Sequence, residues 1–156
     1  MIEQEELRTL IPHNGKMLLL NRIIDYDIEH SIRAEYNITE NCLFYDPVFD
    51  GVPAWVGFEF IAQAISALTG IKKRANGEKP KIGFILSIPS ARMEIPFFKN
   101  GSLVEIRVKE NDCTDMIYTY DGEVFLENKK VMEGKLMVME ISDERLKSLT
   151  GGTELN

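Results

Sequence analysis

The stretch from Val52 to Arg74, VPAWVGFEFIAQAISALTGIKKR, constrains this chain more than any other part of it. Its apolar residues, among them Trp55, Val56, Phe60, Ile61, Ile65 and Leu68, occupy nearly every side of a helical wheel. A helix that is apolar all round belongs inside a protein rather than on its surface. Pro53 suits a first helical position, and Lys72, Lys73 and Arg74 at the far end complement the negative pole of the helix dipole. The spacing therefore predicts a buried helix over about 53–74. Two polar residues interrupt it, Glu59 and Gln63, four apart and so on one face. A carboxylate is almost never fully buried unless paired, and burial raises its pKa toward the range useful for proton transfer. Glu59 is therefore the first candidate for catalysis. The competing role for it is structural, as a carboxylate tied to Gln63 or to the backbone to orient the helix.

The remainder of the chain sets the frame for that helix. A length of 156 residues predicts one domain over 1–156, large enough for a single core. The formal net charge of -7 argues against nucleic acid as a partner, because phosphate binding requires a basic surface. Cys42 and Cys113 stand far apart with no second pair, so neither a disulfide framework nor a metal site is expected. The acidic, polar start MIEQEELRTL does not read as a secretory signal. No uninterrupted apolar run reaches the roughly 20 residues of a membrane span. A soluble cytoplasmic protein without cofactor, metal or membrane contact is the expectation.

In chain order, Glu3 to Leu10 predicts a short helix stopped near Pro12, and Ile11 to Lys16 a turn. Strand-like patterns cover Met17–Ile28 and the run through Tyr36, joined by a polar tip that carries His30. After an irregular loop over 39–51 and the long helix come further strands. Lys81–Ser87 and Ala91–Phe97 read as one strand interrupted near Pro89. Val104, Ile106 and Val108 alternate with charged residues, and 114–126 and 130–141 form an antiparallel pair around Glu127–Asn128. The tail from Ser142 reads as a short helix and a frayed end. One apolar helix among five or six mostly antiparallel strands predicts an α+β layout, a curved sheet wrapped around the helix.

Three stretches resemble the hot-dog-fold 3-hydroxyacyl-(acyl carrier protein) dehydratases. These are Ile11-Pro-His13 with Met17-Leu-Leu-Leu-Asn-Arg22-Ile, then Glu59-Phe-Ile-Ala-Gln63, then Pro96-Phe-Phe-Lys-Asn-Gly101-Ser-Leu. Together they span about residues 11–140, and their order carries more weight than any one of them. The run Val52-Pro-Ala-x-x-Gly57-x-Glu59, followed by Ala-Gln63-Ala, is similar to a dehydratase-like branch found in aryl-polyene-type lipid clusters. The resemblance implies a hot-dog fold and loss of water from a 3-hydroxyacyl thioester. A base takes the C2 proton, an acid protonates the departing C3 hydroxyl, and a hydrogen-bond donor polarises the thioester carbonyl. By that resemblance Glu59 is the catalytic carboxylate and the N–H of Ala54 the carbonyl donor. Pro53, Gly57 and Gln63 border the substrate, while the residues themselves favour a helix-supporting role for Gln63. A homodimer or higher homo-oligomer and an acyl carrier protein are the implied partners.

The family's histidine lies fourteen residues before the carboxylate, where this chain has Tyr45. His13 and Tyr45 are the candidates to replace it. His13 has a structural alternative, bracing the first strand, and Tyr45-Asp-Pro is also ordinary turn chemistry. Lys72, Lys73 and Arg74 begin the densest basic cluster in the chain. They either serve the helix dipole or dock an acidic carrier protein. Three functions follow as expectations: a dehydratase, a thioesterase on the same fold with Glu59 activating water, or a non-catalytic subunit that binds acyl chains or completes an active homologue.

Overall fold

A computed structural model of the chain describes residues 1–149 and 151. The predicted apolar helix forms the axis of the molecule as α2 (Gly57–Ala75), entered through a tight 3-10 turn at Ala54–Val56. Pro53 does not start it. That residue ends a short strand, β4 (Gly51–Pro53), paired with β6 (Phe97–Lys99). The helix therefore begins later than the sequence predicts, because the backbone ahead of it is held in a sheet. Phe60, Ile61, Ala64, Ala67 and Leu68 are fully buried. By length and composition Ala54–Ala75 would pass for a membrane span, but 67% of its most apolar window is buried within the fold.

Among the described residues, seven strands form the sheet that wraps this helix. They are β1 (Ile2–Glu3), β2 (Arg22–Asp27), β3 (Ser31–Asn37), β5 (Ile82–Met93), β7 (Leu103–Thr114), β8 (Ile117–Leu126) and β9 (Lys129–Ile141). The order across the sheet is β1-β2-β3-β7-β8-β9-β5, and every pairing is antiparallel. The tight β8–β9 turn places both Glu127 and Asn128 at positive φ, as a hairpin turn that matches strand twist demands. The expected α+β architecture is therefore present. The two-residue β1 is an addition to the predicted strands, and β5 runs unbroken past Pro89, with its irregularities of register on either side of Ser87. As an edge strand, β5 tolerates a proline that a central strand would not.

The first predicted strand is shorter than expected. Met17 belongs to a 3-10 turn (Gly15–Met17), and Leu18, Leu19 and Leu20 run extended and buried before β2 starts. A helix α1 (Gln4–Leu10) precedes them and α3 (Asp143–Leu149) closes the described chain. The expected frayed end after it falls on 150 and 152–156, outside the described residues. Close approach of sheet to helix depends on Gly122 of β8, where a Cβ would overlap the side chain of Ile61. That contact brings the inner face of the sheet down onto α2 at its second turn.

Candidate active site

Glu59 stands in the first turn of α2, where the helix dipole favours a negative charge. Its side chain is 37% exposed, and Nε2 of His13 lies 3.4 Å from Oε1. Gln63, one turn further on and with no exposed surface, donates from Nε2 to Glu59 Oε1 at 3.0 Å. The same amide group donates to the carbonyl of Met17 at 2.8 Å, while its oxygen accepts the N–H of Leu19 at 2.7 Å. Gln63 thereby ties the carboxylate to the segment that follows His13. Burial pushes the Glu59 carboxyl up, as the sequence predicts, but the result is the reverse. Hydrogen bonds from His13 and from Gln63, together with the attraction of His13, outweigh burial and hold it below its ordinary value.

His13 reaches this position because Pro12 ends the α1 segment and turns the chain across the mouth of a slot beside α2. Its other ring nitrogen, Nδ1, is buried and has no hydrogen-bond partner among the described residues. A buried polar atom left unpaired carries a desolvation cost, so one found at a candidate site calls for a functional account. The slot has a volume of about 190 Å³. Pro12, His13 and Glu59 border it at one end, and Ala62 and Ile65 of α2 lie along it with Val138 of β9.

Of the residues expected to act together, the structure joins Glu59, Gln63 and His13 and leaves the rest apart. The Ala54 N–H, expected to polarise a carbonyl, donates to the carbonyl of Pro96 at 2.9 Å. The closure between the β4 and β6 segments has already taken that donor. The Gly57 N–H is likewise engaged, by the carbonyls of Ala54 and Trp55. Gly57 has a packing reason to be glycine, because a Cβ there would overlap the side chain of Met132. Pro53 pairs with Phe97 in the small sheet and does not border the slot.

Tyr45 is not brought to Glu59 within the chain. Its hydroxyl donates to Asp50 Oδ1 at 2.5 Å, and Asn100 Nδ2 donates to the same oxygen at 3.1 Å. The Asp50 hydrogen bond is the main reason that the Tyr45 phenol is pushed up to about 12. The three residues form a clamp across the loop before β4. The basic cluster is also engaged internally: Lys72 with Glu110 at 2.5 Å, Lys73 with Glu140 at 3.1 Å, and Arg74 with Glu6 at 2.8 Å. These pairs fasten the end of α2 to the sheet and to α1, so the cluster does not stand as a free cationic surface. His30, as expected of a hairpin tip, is exposed and pairs with Asp27.

Sequence reasoning missed the far end of the slot, where Thr69, Tyr118, Tyr120 and Glu140 gather. Part of the signal was present. Ser66 and Thr69 follow Glu59 at helical spacing on its own face, and polar residues on an otherwise apolar helix mark a lined cavity as well as they mark solvent.

A curved antiparallel sheet around one central helix, with a carboxylate on that helix facing an imidazole at the mouth of a slot, defines a hot-dog dehydratase architecture. The sequence model of the ApeP-like family, described as ApeP dehydratase, matches residues 5–149, and the chain belongs to that family. Among curated relatives, the 3-hydroxyacyl-(acyl-carrier-protein) dehydratase FabZ of Campylobacter fetus subsp. fetus is 26% identical over 146 residues, covering 89% of this chain and 97% of that protein. The FabZ of Campylobacter hominis is 28% identical over 142 residues, with coverage of 89% and 97%. Among solved structures, the dehydratase heterocomplex ApeI:P from Xenorhabdus doucetiae superposes with a TM-score of 0.84 at 20% identity, over 92% of this chain and 96% of that one. A thioesterase from Haemophilus influenzae superposes with a TM-score of 0.66 at 19% identity, with coverage of 91% and 92%. At such identities the structural likenesses speak for the fold alone.

Proposed function

We propose that the protein removes water from a 3-hydroxyacyl thioester, carried on an acyl carrier protein, to give the trans-2-enoyl product. The observation that carries this reading is the 3.4 Å contact between His13 Nε2 and Glu59 Oε1 at the mouth of the slot. Glu59, ionised, takes the C2 proton. The C2–H electron pair forms the C2=C3 bond, and the C3–O bond breaks as the imidazolium of His13 delivers a proton to the departing hydroxyl, which leaves as water. The pair is left as a carboxylic acid beside a neutral imidazole, and proton transfer across their contact resets it. Gln63 holds the carboxylate in place throughout. Supporting the reading are membership of a dehydratase family and relatives named for the same reaction on carrier-bound substrates.

Homo-oligomer formation through β5 belongs to the same proposal. That strand is an edge of the sheet, and Phe84, Ile85, Leu86 and Met93 on it are between 43% and 48% exposed. An open edge with apolar side chains is a template for pairing with another chain. A second reading, in which this chain completes an active homologue, draws on Tyr45 standing where the family has its histidine and on a structural neighbour that is itself a heterocomplex. The cytoplasm, where acyl thioesters are elaborated, is the compartment that this function would require.

The test is a purified-protein assay for enoyl absorbance on a 3-hydroxyacyl thioester. Wild-type protein is expected to produce it and Glu59→Gln to lose about 100-fold or more of the rate. Full activity in that variant would remove the assignment. Release of free thiol without enoyl product would mark a thioesterase instead. Turnover that appears only on adding a homologous subunit would favour the second reading.

A further inference from the structure

The slot beside Glu59 follows one stripe of α2, on which Glu59, Ala62, Ser66 and Thr69 succeed one another at helical spacing. At a rise of about 1.5 Å per residue, ten residues carry it roughly 15 Å from Glu59 to Thr69. Its middle is apolar, with Ile65 on the helix and Ile82, Ile85 and Val138 on the sheet. Its far end is polar. Tyr120 is only 3% exposed there, and it lines the slot together with Thr69, whose hydroxyl donates to the carbonyl of Ile65 at 3.0 Å. The carboxylate of Glu140, 13% exposed, is held beside them by Lys73 at 3.1 Å and Lys81 at 3.4 Å. The whole slot holds about 190 Å³. That lies below the roughly 300–1,000 Å³ of pockets that enclose drug-sized ligands.

We propose that Thr69, Tyr120 and Glu140 form a polar stop that limits the substrate to acyl groups no longer than the roughly 15 Å from Glu59 to Thr69, on the order of ten carbons. The inference rests on the dehydratase reading and names the substrate class within it. A short chain entering past Glu59 ends among Ile65, Ile85 and Val138, where its methyl groups replace water against apolar walls. A longer saturated chain must push its terminus against a phenol, a hydroxyl and a carboxylate. It strips water from them and returns no hydrogen bond, so each added carbon beyond the stop loses affinity instead of gaining it. Glu140 cannot swing clear cheaply, because two lysines hold it. The stop is therefore a matter of both volume and polarity, and it sits on the same helix face as the catalytic carboxylate.

The experiment compares the full chain acting on 3-hydroxyacyl thioesters from about four to about sixteen carbons, by enoyl absorbance, with calorimetric binding of the saturated thioesters of the same lengths. Short chains are expected to exceed long ones in kcat/KM by at least about tenfold, with the difference carried mainly by KM. In the double variant Thr69→Val with Tyr120→Phe, which removes two hydroxyls and little volume, the long-to-short ratio should rise about tenfold. Glu140→Gln, which keeps shape and loses charge, should move the ratio in the same direction. A flat length profile, or a profile that the variants leave unmoved, overturns the stop while dehydration stands. If no length is turned over but short saturated thioesters still bind more tightly than long ones, the stop stands and the dehydratase reading falls. If no thioester binds, both fall.

Discussion

Gln63 and Glu59 sit one helical turn apart and share a 3.0 Å hydrogen bond, and the same glutamine clasps the backbone of Met17 and Leu19. One buried amide thus serves the carboxylate and the segment leading from the imidazole together. Gln63→Ala removes three hydrogen bonds, strands the buried N–H of Leu19, and opens a cavity. A loss of stability of about 2–4 kcal/mol is expected from the unpaired group and the void. Activity should fall beyond what unfolding explains, with kcat reduced more than KM, because the carboxylate loses its support. Thermal melts beside steady-state kinetics at a temperature where the variant is folded check both parts.

The depressed pKa of Glu59 fixes the sign of a pH effect. Its unfolded value is near 4.5 and its folded value lies lower, so ionised Glu59 contributes stability that is fully present above 4.5. That contribution disappears as pH falls through the lower folded value. Glu59→Gln should therefore show a shallower loss of stability on acidification below 4.5 than the parent protein, read as denaturant midpoints across that range. Identical acid slopes in the two proteins would contradict the hydrogen bonds assigned to Glu59.

His13 supports that depression as well as the proposed proton delivery. In His13→Gln the reaction should slow by about 100-fold or more, the scale of losing one general acid. Its residual rate should also lose activity at a higher pH on the acid side than the parent does. Removing the imidazole takes away its hydrogen bond and its charge, and leaves burial, which pushes Glu59 upward, opposed by the Gln63 hydrogen bond alone of the groups that held it low. A pH–rate profile separates this from simple misfolding, which would lower the curve without moving its acid limb.

Tyr45 matches a catalytic position of the family in sequence, and within the single chain it is engaged away from Glu59. Its hydroxyl is committed to Asp50, and the clamp it forms with Asn100 steadies the loop before β4. Tyr45→Phe should retain kcat/KM to within about twofold, with a modest drop in thermal midpoint. Asp50→Ala should cost more stability than Tyr45→Phe, because two donors lose their acceptor. A collapse of kcat/KM in Tyr45→Phe with an unchanged melt would return Tyr45 to the chemistry.

The sequence made the helix legible because Phe60, Ile61, Ala64 and Leu68 leave it no polar side to expose. The strand alternation at Val104, Ile106 and Val108 was legible for the complementary reason, one face buried and one wet. Glu59 and Gln63 were visible as polar interruptions of apolar surroundings. What a single chain of letters could not carry was the commitment of individual hydrogen bonds. Whether the Ala54 N–H is free depends on where Pro96 comes to rest, some forty residues later, and whether Lys72 is a free cation depends on Glu110 across the sheet. The sign of the Glu59 shift was lost in the same way. Burial can be read from neighbours in sequence, whereas the His13 contact that reverses its effect arises from tertiary folding.

The edge strand β5 gives the last prediction. Phe84, Ile85, Leu86 and Met93 are exposed on a strand whose only neighbour in the sheet, among the described residues, is β9. A soluble chain would ordinarily place lysines or glutamates along such an edge to prevent pairing. In their place this strand offers apolar side chains and unpaired backbone groups, which a second copy could cover. Leu86 is 48% exposed, so Leu86→Lys disturbs little inside the chain, yet it sets a charge on the apolar edge that a second copy would have to bury. Sedimentation should show the parent as an assembly and Leu86→Lys shifted toward the single chain, with its circular dichroism unchanged. A variant that sediments exactly as its parent does would place the contact between copies elsewhere on the surface.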